Sequence, residues 1–144
     1  MSNKAFLISI KPRFAELIFA GKKTVELRRV PPRAARGDLA LVYVSSPTKE
    51  LQGCFEVARV ESGSPSALWT KIGHRSGITR QAYMEYFRGK SVAHAVVINR
   101  AWKLSTAVRL SSLRKQKGGF RPPQNFQYLT GSVMSNYTEV RRAA

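Results

Sequence analysis

The stretch Gly21-Lys22-Lys23-Thr24-Val25-Glu26-Leu27-Arg28 constrains the fold of this chain more than any other. Before it, Phe14, Leu17 and Ile18 stand at i, i+3 and i+4, the spacing of one helix face, so a helix is predicted from Pro12 to about Ala20. Proline suits the first helical position, because the N–H it lacks would have no intrahelical partner there. Gly21 then ends the helix by adopting a positive φ. The residues after the glycine read as a strand, in which Val25 and Leu27 turn to the core while Thr24, Glu26 and Arg28 share the opposite face. A helix thus delivers the chain directly onto a strand with one charged, ordered face.

The remaining pattern is mostly strand. Ala5 to Ile10 is apolar on both faces and is placed centrally in a sheet. Val30-Pro31-Pro32-Arg33 closes the second strand, since two prolines cannot continue a ladder. Leu39 to Val44 and Leu51 to Val60 are predicted to form an antiparallel hairpin across the six-residue loop Ser45 to Glu50. Two short helices come next. Ser64 caps the first, with Pro65 at its first position and Gly73 as its stop, and Thr79 caps the second, which Gly89 ends. Ala93 to Leu104 reads as a long buried strand and Leu110 with Leu113 as a single helical turn. Arg114 to Gly119 is expected to be a basic loop, and Phe120 to Leu129 an extended segment packed on the sheet. Strands in this number without regular β-α alternation argue for an α+β domain built on a small closed or half-open barrel. We expect one domain over residues 1–130 and a C-terminal tail over 131–144 that frays.

Charge bounds the function. Twenty-five Lys and Arg against eight Asp and Glu give a formal net charge of +17. Residues 1–36 hold nine basic and two acidic side chains, and residues 105–144 seven and one, so the excess lies at the two ends of the sequence. Such an excess repels itself and favours a polyanionic partner, with nucleic acid ahead of a membrane surface, for no basic amphipathic helix with an aromatic-rich apolar face is evident. A single cysteine, Cys54, fits a reducing compartment, and no run approaches the roughly 18 apolar residues of a membrane span. The expectation is a soluble, cytoplasmic protein with no obvious protein partner.

Several groups of residues can carry chemistry. Glu26 either pairs with Lys23 and Arg28 merely to neutralise a half-buried strand face, or belongs with them to a ligand site. Ser45, Ser46 and Lys49 come after a core strand, where hydroxyls, backbone N–H groups and a lysine commonly meet phosphate. Arg121, Gln124, Phe126 and Tyr128, with Arg114, Lys115 and Lys117 before them, interleave cations with aromatics, a pattern that suits unpaired bases. Phe120 and Phe126 are the most easily read as core residues. His74 and His94 lie in a loop and an apolar strand and make a poor acid/base pair. No zinc-type ligand spacing is present, so no metal or other cofactor is predicted, while dependence on a divalent metal is left open. Leu68 to Phe87 has the outline of a helix-turn-helix, but Gly73 to Gly77 is too glycine-rich for its turn.

The G-x-K-x-x-E-x-R string of Gly21, Lys23, Glu26 and Arg28, preceded by Ile8-Ser9-Ile10-Lys11-Pro12 and succeeded by Val42-Tyr43-Val44-Ser45-Ser46-Pro47, resembles the ASCH domain family, whose fold is related to the PUA domain of RNA-modification proteins. Tyr43 to Lys49, the Gly53 to Val60 strand, the Ser64-Pro65 to Trp69 helix start and Phe120 to Gln124 extend the resemblance over roughly Ala5 to Leu129. It implies a PUA-like β-pseudo-barrel of about five to six strands with two to three short helices. It further implies a cleft on the barrel, where Lys23 and Arg28 hold a phosphate or carbonyl oxygen and Glu26 accepts hydrogen bonds from a base or acts as a general base. Lys11 and Arg13 would add to the positive rim. Some members are amidohydrolases using a lysine, a threonine and a glutamate. Lys23 matches that lysine, but Glu26 stands where the threonine would be, and Thr24 is two positions away. The expected function is therefore binding of single-stranded or structured RNA through Lys11, Arg13, Lys23, Glu26, Arg28, Ser45, Ser46, Lys49, Lys117, Arg121, Gln124 and Tyr128. The alternative is a ribonuclease in the same cleft, with Lys23 and Glu26 as its catalytic residues. An amidohydrolase and a DNA-binding transcriptional regulator rank behind both.

Overall fold

A computed structural model describes residues 3–116 and 118–129. The elements run β1 (Ala5–Ile10), α1 (Pro12–Phe19), β2 (Val25–Arg28), β3 (Leu39–Val44), β4 (Glu50–Gly63), α2 (Pro65–Ile72), a 3-10 turn (Gly73–Arg75), α3 (Arg80–Tyr86), β5 (Ala93–Arg109), α4 (Leu110–Gln116) and β6 (Phe126–Tyr128). One six-stranded sheet has the order β2-β5-β4-β3-β1-β6. All its neighbours are antiparallel except β1 and β3, which pair in parallel from Ala5↔Leu39 to Ile10↔Val44. This is the α+β half-barrel expected, with six strands and one helix more than predicted.

The sheet buries both faces. On one side Phe6, Ile8, Ile10, Val42, Val44, Phe55 and Val57 pack with Ala15 and Ile18 of α1. On the other, Leu7, Leu41, Tyr43, Leu51 and Cys54 are covered by Leu113 of α4. A third cluster joins Val25 and Leu27 to Leu68 and Ile72 of α2 and Tyr83 and Phe87 of α3. The two-residue alternation of β1 and β3 serves two cores at once, which is why both strands read as continuously apolar.

Local signals act where expected. Ser64 Oγ and Thr79 Oγ1 accept from the N–H of Ala67 and Ala82, capping α2 and α3. Gly73, predicted to stop α2, has a helical φ of −54° and passes the chain into the 3-10 turn. A Cβ there would lie within 2.5–2.7 Å of the Trp69 ring, so close packing, rather than a left-handed turn, requires glycine. Arg114, Lys115 and Gln116 are helical where a loop was expected. Leu113 fastens α4 to the sheet, and the two cations sit in its last turn, where they complement the negative helix end. The tail predicted beyond residue 130 lies outside the described residues.

The sheet curls until β2, at one end of its order, approaches β1 and the segment leading into β6 at the other. No ladder joins these edges. Side chains bridge them: Arg28 reaches the Ser9 carbonyl and the Asn125 side chain, and the Tyr128 hydroxyl meets the N–H of Arg33. The barrel is thus closed by a seam of polar side chains.

Gly21 steers the chain into that seam. Its φ is +76° and nothing lies within 4 Å of where a Cβ would sit, so alanine fits in space but takes the left-handed conformation. Gly21→Ala is expected to lower unfolding free energy by about 1–2 kcal/mol in urea titration. An unchanged midpoint would show that the turn does not hold α1 against β2.

Candidate functional site

A cleft of about 990 Å³ opens along the seam. One wall is built from the first turn of α1 (Lys11, Arg13, Phe14), the β3–β4 loop (Ser45, Ser46, Lys49) and α4 (Leu110, Arg114). A second wall carries Ile78 with Ala82, Glu85 and Tyr86 of α3, and Arg29. Pro122, Pro123 and Gln124 line a further side, and Lys23, Glu26, Arg28 and Tyr43 belong to the interior.

The floor is a buried row of charge. Strand alternation sends Glu26 and Arg28 away from the Val25–Leu27 core, as predicted, but that face is closed as well: Lys23, Glu26 and Arg28 are 2%, 5% and 8% exposed. Glu26 Oε2 accepts from Arg28 Nη2 at 2.7 Å, and Oε1 lies 3.6 Å from Lys23 Nζ. Lys23 Nζ also donates to the Ser76 carbonyl at 2.6 Å and stands 5.1 Å from the centroid of the Phe14 ring. Arg28 donates to Asn125 Oδ1 at 2.6 Å and to the Ser9 carbonyl at 2.9 Å. Its Nε is buried without a partner among the described residues. Burial holds the Lys23 amine below the ordinary lysine pKa, against the pull of Glu26. Thr24 does not share this row. Its hydroxyl accepts from Arg75 Nε at 2.8 Å, and it is absent from the cleft lining, so the threonine nucleophile of the amidohydrolase reading has no counterpart facing the cleft.

The cation-bearing wall is set by local backbone. Lys49 has a φ of +53°, uncommon for a side-chain-bearing residue. Two backbone bonds fix it there, from Lys49 N–H to the Ser45 carbonyl at 3.4 Å and from Leu110 N–H to the Lys49 carbonyl at 3.1 Å. The second ties the β3–β4 loop to the start of α4, which puts Lys49 and Arg114 on the same wall. Tyr43, at the end of β3, is 2% exposed and lines the cleft from beneath. Burial pushes its phenol pKa up, with the Arg114 guanidinium working the other way.

Of the residues singled out in the sequence, Lys11, Arg13, Lys23, Glu26, Arg28, Ser45, Ser46, Lys49 and Gln124 meet at the cleft. Arg121 and Tyr128 are not among its lining residues. Tyr128 packs its ring on Phe6 and Phe126 and accepts from Arg33 N–H through its hydroxyl, since the pairing of β6 with β1 places it on the seam but away from the cleft lining. Lys117 lies outside the described residues. Arg114, noted in the sequence only as one of the cations interleaved with the late aromatics, also lines the cleft, while Arg29, Tyr43 and Tyr86 were missed as site residues; only a phenol near the end of an otherwise apolar strand hinted at Tyr43. His74 and His94 do not line the cleft. His94 Nδ1 is 2.6 Å from Ser62 Oγ, and burial lowers its pKa. Among the described residues no group of three or more His, Cys, Asp or Glu could hold a metal ion, and no helix is long and apolar enough to cross a membrane.

Comparison with known proteins places this geometry among relatives. The sequence profile of the ASCH domain matches residues 8–103. An ASCH domain-containing ribonuclease of Zymomonas mobilis is 32% identical over 127 residues, spanning 88% of this chain and 85% of that protein. The large ribosomal subunit protein uL22 of Ureaplasma parvum is 35% identical over 131 residues, which are 89% of this chain but 40% of that longer protein. The crystal structure of ASCH from Zymomonas mobilis superposes with a TM-score of 0.89 at 28% identity, covering 96% of each chain.

The buried row makes a stability prediction. Lys23→Met keeps the apolar stem but strands the Ser76 carbonyl and frees one oxygen of Glu26, so it is expected to cost about 1–3 kcal/mol. Thermal melts check it. A melting temperature that stays level or rises would return Lys23 to the role of a ligand group.

Proposed function

The chain belongs to the ASCH domain family, and we propose that it binds single-stranded RNA in the cleft and cleaves it there. The observation that carries this reading is the set of exposed cations, Lys11, Arg13, Lys49 and Arg114, that line one cleft together with the buried Tyr43. None of these four cations makes an ion pair among the described residues. The relative named as a ribonuclease, similar over most of both chains, supports the same reaction class. A single strand is favoured over duplex because the cleft mixes cations with apolar and aromatic side chains, and among the described residues the one helix rich in cations, α4, is only seven residues long and packs Leu113 on the sheet.

Phosphate binding falls to Lys49, Arg114 and the hydroxyls of Ser45 and Ser46. In cleavage the 2′-hydroxyl gives up its proton to solvent water, its oxygen attacks phosphorus, and the 5′-oxygen departs, leaving a 2′,3′-cyclic phosphate. Tyr43, a phenol whose neutral form burial favours further, is suited to donate its proton to the departing oxygen and regain one from solvent, and Lys49 and Arg114 to offset the charge that develops on phosphate. Lys23 and Glu26, offered by the sequence as catalytic, have their polar atoms engaged with one another, with Arg28 and with Ser76. In this reading they support the floor and the reacting groups lie above it.

The test is incubation of labelled single-stranded RNA with the protein, in the presence of chelator and of added magnesium. Wild type is expected to fragment the RNA, and Tyr43→Phe to slow cleavage by about 100-fold or more while changing binding little. RNA that stays intact throughout would reduce the reading to binding alone. Binding has its own check: with about four phosphates neutralised, the log–log dependence of affinity on salt should have a slope near −3, and Lys49→Ala should remove about 0.7 of it. A flat response would remove RNA as the partner.

A further inference from the structure

The α3 wall of the cleft carries one basic side chain. Lys11, Arg13, Lys49 and Arg114 come from the other wall, and Lys23 and Arg28 are engaged in the floor, so among the lining residues Arg29 is the one cation that packs with α3. Its setting differs from that of the other rim cations. Nε donates to the Tyr86 carbonyl at 2.7 Å, and the guanidinium carbon lies 4.2 Å from the centroid of the Tyr86 ring. That ring is itself held: its hydroxyl donates to the Leu27 carbonyl at 3.3 Å, and Phe87 packs against it edge-on at 4.8 Å. Glu85, the one acid on this wall, is bonded to Arg88 at 2.6 Å.

An arginine placed in this way has its Nε engaged and its plane fixed on an aromatic face. Its two terminal NH2 groups have no partner among the described residues, although the residue is exposed. Much of the side-chain entropy that binding would otherwise remove is already gone, and what remains is a planar fork matched to two oxygens of a phosphate. The cleft is also large. Its volume of about 990 Å³ is at the upper end for sites that hold one small molecule.

We infer that Arg29 on its Tyr86 platform is a second phosphate subsite, apart from the one at Lys49 and Arg114, and that the substrate is an oligonucleotide long enough to present phosphates to both walls. The inference rests on the reading of the cleft as an RNA site and adds a length requirement to it. A ligand with one phosphate engages one wall only. A strand of several nucleotides crosses the cleft and gains the contact with Arg29.

Dissociation constants of single-stranded oligoribonucleotides, from a trinucleotide to about ten nucleotides, test this in wild type, Arg29→Ala, Arg29→Lys, Tyr86→Leu and Lys49→Ala. Arg29→Ala is expected to weaken the longest oligonucleotide about 10–100-fold and the trinucleotide little. Arg29→Lys should recover only part of that loss, since lysine keeps the charge without the fork. Tyr86→Leu keeps the arginine but removes its platform, and should show a smaller loss of the same length dependence. Thermal melts of each variant confirm that the comparison is between folded proteins. An equal loss at every length, or none at any, would overturn the subsite. If Lys49→Ala weakens binding while Arg29→Ala does not, the subsite falls and the cleft stands. If no variant weakens binding, the cleft reading falls with it.

Discussion

The bonds of Arg28 are the interaction on which the rest of the structure depends. A six-stranded sheet that curls this far must either complete its ladder or satisfy two facing edges some other way, because unpaired backbone groups out of reach of water cost free energy. Here a guanidinium spans the gap, taking the Ser9 carbonyl of β1, the Asn125 side chain ahead of β6 and the Glu26 carboxylate of its own strand. Carrying a buried cation would be unfavourable by several kcal/mol without those partners. Glu26 is needed for Arg28, and Lys23 fills the remaining carboxylate oxygen while holding the loop after the 3-10 turn through Ser76. The motif therefore makes the seam, and an incompletely laddered seam is what leaves room for a cleft.

The same row sets the field in that cleft. Two cations and one carboxylate leave one formal positive charge at the floor, in surroundings where interactions are less screened than in water. Most described acids elsewhere are committed: Asp38 to the N–H groups of Lys4 and Ala35, Glu50 to Gln52, Glu56 to Asn99 and Arg100, Glu61 to Arg59, and Glu85 to Arg88. Lys11, Arg13, Arg29, Lys49 and Arg114 have no such partner among the described residues. A chain with net charge +17 has few acids to distribute, and none of the ion pairs formed falls on an exposed cation of the cleft. That selective absence gives the charge excess a location, which composition alone could not do.

Much of the framework was legible because it depends on short-range rules. The turn at Gly21, the caps at Ser64 and Thr79, the alternation of Val25 and Leu27 against Glu26 and Arg28, and the apolar strands β1 and β3 each stem from a few neighbouring residues. The site was legible where one motif supplied it and hidden where distant segments did. Arg29 gains its character from a carbonyl and a ring 57 residues away along the chain. Tyr43 gains its character from burial under α4, of which the sequence reveals only the first turn, because two leucines are too weak a pattern to extend a helix whose support is a sheet. Tyr128 was misplaced for the related reason that the pairing of β6 with β1, invisible in sequence, decides which side of the seam it occupies.

Burial of the motif also separates two roles that a sequence pattern merges. Residues required to hold a seam and residues required to meet a ligand can both be indispensable, yet they differ in what they have left to offer. Lys23, Glu26 and Arg28 have nearly all their polar atoms occupied, and Arg28 Nε, the one without a partner, is sealed from solvent. A ligand entering the cleft would have to break an existing charged bond to reach them. The exposed side chains above them have no such bond to give up, so contact there is favoured even where the individual interactions are weaker. The motif thus forms the floor, and in the reading proposed above recognition would fall to Lys49 and Arg114, tied together through the Leu110 N–H to Lys49 carbonyl bond, and to Arg29 stacked on Tyr86.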